Sequence, residues 1–74
     1  MKLSYDETVD ALYIRFVGGA FECLTLRLTD EVSLDLGPEE QLLGIEILDA
    51  KRVLGDTFQQ TVELENLKAR VAQE

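Results

Sequence analysis

Histidine and tryptophan are absent from this chain of 74 residues, and cysteine and proline occur once each. Without His, neither Ser4 nor Ser33 can belong to a Ser-His-Asp arrangement, and no imidazole is present to turn Cys23 into a thiolate nucleophile. A Cys/His zinc site is closed on the same ground, and a lone Cys forms no internal disulfide. Cys23 is expected to be a small filler on the polar side of a strand. Gly18, Gly19 and Gly44 are too sparse for a phosphate-cradling loop, so nucleotide binding has no support, and no cofactor is implied. No stretch approaches the roughly 18 apolar residues of a membrane span, and the N-terminus lacks the apolar segment of a signal peptide. The expectation is a cytoplasmic protein, with which one unpaired Cys in a reducing compartment agrees.

Bases are scarce too. Fifteen Asp and Glu stand against seven Lys and Arg, for a net charge of −8 and a pI near 4.3. The excess is spread along the chain: residues 1–55 carry eleven acids and five bases, and residues 56–74 carry four and two. Nucleic-acid affinity comes chiefly from Lys and Arg on phosphates, and Lys51-Arg52 is the nearest thing to a basic cluster, so direct nucleic-acid binding is disfavoured. The charge suits a small basic protein partner, or serves only to keep a small chain in solution.

What is present in quantity is alternation. Leu12, Ile14 and Phe16 oppose Tyr13 and Arg15; Leu24, Leu26 and Leu28 oppose Cys23, Thr25 and Arg27. Val32, Leu34 and Leu36 oppose Ser33 and Asp35; Leu43, Ile45 and Ile47 oppose Gly44 and Glu46. Successive strand side chains point to opposite faces, so each segment has one oily and one mostly polar face, the signature of a sheet covered on one side. Leu3 and Tyr5 predict a short first strand, closed by Asp6 to Asp10, where Asp6 caps one helical turn or starts an irregular corner, the helical turn being preferred. Gly18-Gly19, Thr29 to Glu31 and Gly37 to Glu40 supply turns. The prediction is a single α+β domain over 1–74: an antiparallel β-meander of five strands in the order 1 to 5 over residues 1–48, with one or two C-terminal helices over residues 49–74 covering its oily face.

In that cover, Asp49 is placed to cap a short helix over Ala50 to Leu54 that stops at Gly55. Asp56 with Gln59 resembles a capping box that opens a second helix from Thr57 to about Ala72. Its apolar residues form two stripes: Phe58, Val62 and Ala69 on one side, Leu64, Leu67 and Val71 nearly opposite. The first stripe would pack on the sheet and the second on another copy, which makes Leu64, Leu67 and Val71 the expected face of a homodimer. A sixth strand over Phe58 to Leu64 is the alternative, with Gln60 on its oily face counting against it. A chain this short buries only about 60% of the surface it exposes unfolded, and self-association is a common remedy.

One polar constellation stands out. If strands two, four and five are close, Tyr13, Asp35 and Glu46 share a face, with Arg15, Arg27 and Thr25 around them. Two carboxylates and a phenol could work as general acid and base, or hold Mg²⁺ or Ca²⁺ through oxygen. The stronger reading is that they are the ordinary charged residues of an open sheet face, braced by cross-strand pairs, or the Tyr- and Arg-bearing surface of an interface. Asp10 and Asp49 close turns and are expected to be caps or corner braces.

Tyr5-Asp6, then Val9 to Ile14, Val32 to Asp35, and Gly44 to Ala50 together resemble a family of small prokaryotic proteins catalogued as domain of unknown function 2283. The resemblance covers residues 1–50 and implies a compact cytosolic β-rich domain without an established activity. Some members look like the antitoxin half of toxin–antitoxin pairs, encoded beside a compact basic protein, which would suit a charge of −8. Lys51 stands where the family commonly has Ser, and the tail from Gly55 to Glu74 lies outside the resemblance. Three readings follow: a non-enzymatic protein-binding module, antitoxin-like in its most concrete form; an enzyme or metal-dependent protein using Tyr13, Asp35 and Glu46; and a purely structural homodimer.

Overall fold

A computed structural model describes residues 1–19, 22–60 and 62–65. Among the described residues, five strands, β1 (Lys2–Asp6), β2 (Ala11–Arg15), β3 (Leu24–Arg27), β4 (Val32–Leu36) and β5 (Leu42–Ile47), precede one helix, α1 (Ala50–Leu54), with a single 3-10 turn at Pro38–Glu40 between β4 and β5. The strands coincide with the alternating segments, and all pair antiparallel in one sheet. The α+β class stands.

The strand order does not. It is β1-β2-β5-β4-β3, so β5 lies in the middle and β3 at an edge. The expected order of 1 to 5 treated Gly18-Gly19 as a hairpin turn, whereas the link between β2 and β3 covers residues 16–23 and joins strands about 14 Å apart, three strand spacings. Burial explains the choice. Leu43, Gly44 and Ile47 of β5 are buried, while β3 is exposed along its whole length. β5, with three buried residues, takes the central position, where a neighbouring strand pairs each of its edges.

Register fixes the faces. Leu12 lies opposite Ile47 and Ile14 opposite Ile45; Val32 and Leu34 lie opposite the same two isoleucines from the other side. The core forms at the end of this row, where Leu12, Ile47 and Ala50 are buried and Tyr5, Ile14, Val32, Ile45 and Phe58 pack against them. The Phe58 ring meets Tyr5 edge to face, with centroids 5.0 Å apart and planes at 86°, an arrangement that aromatic quadrupoles favour. Toward β3 the oily face is bare: Leu24, Leu26 and Leu28 are 62%, 41% and 61% exposed.

The corner after β1 is braced by Asp6, whose carboxylate accepts the Thr8 amide at 3.0 Å and also bonds the Thr8 hydroxyl. These bonds hold the Asp6 carboxyl below its usual range. The corner is a turn rather than a helical one.

The helix α1 has the expected bounds and ends at Gly55, whose φ of 97° suits a residue without a Cβ. Its cap is not the expected one. Asp49 stands at the N-cap position in the left-handed region, with φ 52° and ψ 47°, and its side chain makes no capping bond. The carboxylate goes to Arg52 Nε at 2.5 Å, and the free amides of the first turn are met from the corner before β2. Asp10 O accepts the Ala50 amide at 3.0 Å, and Asp10 Oδ1 and Oδ2 accept the Lys51 amide at 3.3 and 3.2 Å.

The second helix expected from Thr57 is not formed where the chain is described: residues 56–60 are turns and 62–65 are neither helix nor strand. The sixth-strand alternative over Phe58 to Leu64 falls likewise on the described positions. The two-striped pattern explains the outcome, because a helix there could bury only one stripe on this sheet, and the turn needs only Phe58 to do so. Leu64, in the expected dimer face, is 94% exposed; Leu67 and Val71, with the rest of the expected helix, lie outside the described residues. Among the described residues, no helix is long and apolar enough to cross a membrane.

Candidate functional site

The polar face brings the sequence constellation together. Tyr13 on β2 lies opposite Glu46 on β5, and Glu46 lies opposite Ser33 on β4. One row along, Asp35 lies opposite Gly44 on one side and Thr25 on the other. The Tyr13 hydroxyl donates to Asp35 Oδ2 at 2.8 Å, and the Thr25 hydroxyl donates to Asp35 Oδ1 at 2.8 Å. Asp35 is thereby held across four neighbouring strands, from β2 over β5 to β4 and β3.

Gly44 makes this bridge available. A Cβ at Gly44 would stand 2.4 Å from the Tyr13 hydroxyl oxygen and 2.9 Å from the Ile14 carbonyl oxygen, so the Tyr13 side chain lies over the central strand in the space that a side chain would fill. The hydrogen bond to Asp35 and the accompanying desolvation raise the Tyr13 phenol above its ordinary range. A phenol held protonated with its proton directed at a carboxylate is a brace rather than a poised base.

The arginines expected around the cluster do not pair with it. Arg15 Nε donates to the Val17 carbonyl at 3.0 Å and its guanidinium also bonds the Gly19 carbonyl, while Arg27 donates to the Asp30 carbonyl at 2.7 Å. Glu46 has no hydrogen bond or ion pair among the described residues. It borders a shallow groove of about 290 Å³ with Ser4, Asp6, Val9, Ala11 and Tyr13 along its sides. No group of three or more metal-ligating side chains occurs among the described residues.

A second phenol–carboxylate pair lies at the other end of the motif-bearing residues. The Tyr5 hydroxyl donates to Asp10 Oδ1 at 2.6 Å, and that bond, with burial and the Asp10 charge adding to it, pushes the phenol up to about 12. The same Asp10 carries the first turn of α1, and Ala50 behind it is 0% exposed. Tyr5, Asp10 and Ala50 thus lock three separated segments together. Sequence reading placed Asp10 as a corner brace but missed its partners; the signal available was a Tyr and an Asp five apart, flanking a turn.

Arg52 binds Glu31 as well as Asp49, tying α1 to the turn before β4, and both carboxylates raise its affinity for its proton. Cys23, expected as a filler, is exposed.

A family model described as protein of unknown function, DUF2283, matches residues 2–51. That span runs from β1 to the first turn of α1 and contains both phenol–carboxylate pairs. No curated protein and no solved structure gives a significant match.

Proposed function

The chain belongs to the DUF2283 family, and within that family we propose that it is a non-enzymatic protein-binding module whose partner is a small basic protein. The observation that carries this reading is the bare half of the oily face. Leu24, Leu26 and Leu28 at 62%, 41% and 61% exposure form one stripe, and contiguous apolar patches on a small monomer mark interaction surfaces. The net charge of −8 selects the sign of the partner and predicts association that is fast at low salt and weakened by added salt.

The polar constellation supports the same direction. Asp35 accepts from Tyr13 on one oxygen and from Thr25 on the other, so these three side chains brace the sheet across its strands. The most concrete version is antitoxin-like, an acidic chain that captures and neutralises a compact basic one. Affinity purification from native extract at low salt tests the reading. A small basic chain should be retained in stoichiometric amount and released as salt rises; absence of such a chain at every salt concentration would sink the proposal.

A further inference from the structure

We propose that the open edge of β3 is a docking strand, which takes an extended segment of the basic partner as an added strand of the sheet. This rests on the binding-module reading and specifies how it operates. β3 pairs only with β4, leaving its other edge unpaired among the described residues. The Leu28 amide donates to the Val32 carbonyl at 2.8 Å. By the alternation of an antiparallel ladder, Leu24, Leu26 and Leu28 direct their backbone groups to β4, while Thr25 and Arg27 direct theirs outward. An incoming strand finds two residues' worth of free N–H and C=O groups, beside a leucine stripe on one face that alternate apolar side chains of the segment can cover.

Charge decides what that segment is. Glu22 and Asp30 stand just beyond the two ends of β3, both exposed, and neither carboxylate has a partner among the described residues. Arg27, the base on the strand itself, is turned to the Asp30 carbonyl. A segment with Lys or Arg at its ends and alternating apolar residues between them therefore meets a complementary charge at each end. The opposite edge, β1, is the poorer choice: it carries Lys2, and its Tyr5 is already covered by Phe58. A second copy is also disfavoured. Two β3 strands paired about Leu26 would set Glu22 of each copy against Asp30 of the other, with −8 on both chains.

The test uses the full chain and a synthetic peptide, Lys-Val-Thr-Val-Thr-Val-Lys, followed by amide chemical shifts and hydrogen exchange. The Thr25 and Arg27 amides should shift and gain protection, and a Glu-ended peptide should bind at least about tenfold more weakly. Thr25→Pro removes an outward N–H without touching the β4 ladder and should abolish binding. Because that variant also loses the bond to Asp35, the double charge reversal Glu22→Lys with Asp30→Lys provides a second reading and should weaken binding about tenfold or more. The proposal is overturned if the peptide does not bind, if it perturbs β1 or the polar face instead, if both variants bind like the wild type, or if the Thr25 and Arg27 amides are already protected by self-association. If the co-purifying basic chain binds wild type and both variants equally, the edge is refuted and the binding-module reading survives; if no basic chain binds at all, the module reading itself fails.

Discussion

Tyr13 reaches Asp35 across the backbone of Gly44, with its hydroxyl 2.8 Å from Oδ2, so a residue on β2 holds a residue on β4 over the strand between them. Gly44→Ala puts a methyl group where the phenol lies, and it should destabilise the fold by about 1–3 kcal/mol through forced displacement. Tyr13→Phe keeps the ring and loses only the bond, so it should cost about 0.5–1.5 kcal/mol. Urea midpoints of the two variants check the order, Gly44→Ala being the more damaging.

Asp10 joins β1, the corner and α1, and it sits at φ 53°, a left-handed conformation that Asn tolerates and Ala does not. Asp10→Ala should lose about 1–3 kcal/mol, since the Lys51 amide and the Tyr5 hydroxyl lose their acceptor. Asp10→Asn keeps an acceptor oxygen and the backbone preference, and should recover much of that loss. Thermal denaturation of the pair decides it.

Ala50 is 0% exposed beside Leu12 and Ile47. Ala50→Leu should cost about 1–3 kcal/mol or more by overpacking, with α1 released from the sheet. Loss of helical signal in circular dichroism ahead of the main unfolding transition is the expected readout.

Both tyrosines carry raised folded-state values, Tyr5 to about 12 and Tyr13 upward by its bond to Asp35. A raised value means the folded state holds the proton more tightly than the unfolded one. The stabilisation is complete below the unfolded value near 10 and is lost as pH rises toward about 12 for Tyr5. Asp6 runs the other way: its lowered value gives stability present above the unfolded 3.8 and lost as pH falls below it. Ultraviolet titration should show phenolate appearing late, and Asp10→Asn should advance the Tyr5 step.

Much of this was legible in the sequence because strand periodicity is local. Leu12, Ile14, Ile45 and Ile47 announce their face by parity alone, and Gly55 announces the end of α1. The strand order was harder, because hairpin and crossing links differ in length more than in composition. The greater length of residues 16–23, rather than Gly18-Gly19 within it, was the informative feature. The cap on α1 was illegible for a different reason. Asp49 has the right neighbour position, but Asp10 has the right place in space, and only the pairing of β2 with β5 brings it there. The candidate cluster was visible as Tyr13, Asp35 and Glu46, yet its wiring depended on Gly44, whose significance is the absence of a side chain beneath another residue.

The exposed leucines of β3 and the next residue, Leu28, with a net charge of −8, support the central claim that this is a surface for a basic protein, and the most direct measurement is co-purification with Leu24→Asp and Leu28→Asp placed on that stripe. Both positions are more than half exposed, so the variant should fold with an unchanged circular dichroism spectrum. The account predicts that the wild-type chain retains a small basic partner at low salt and that the variant retains none. Equal retention by the two chains, with the variant folded, would contradict it.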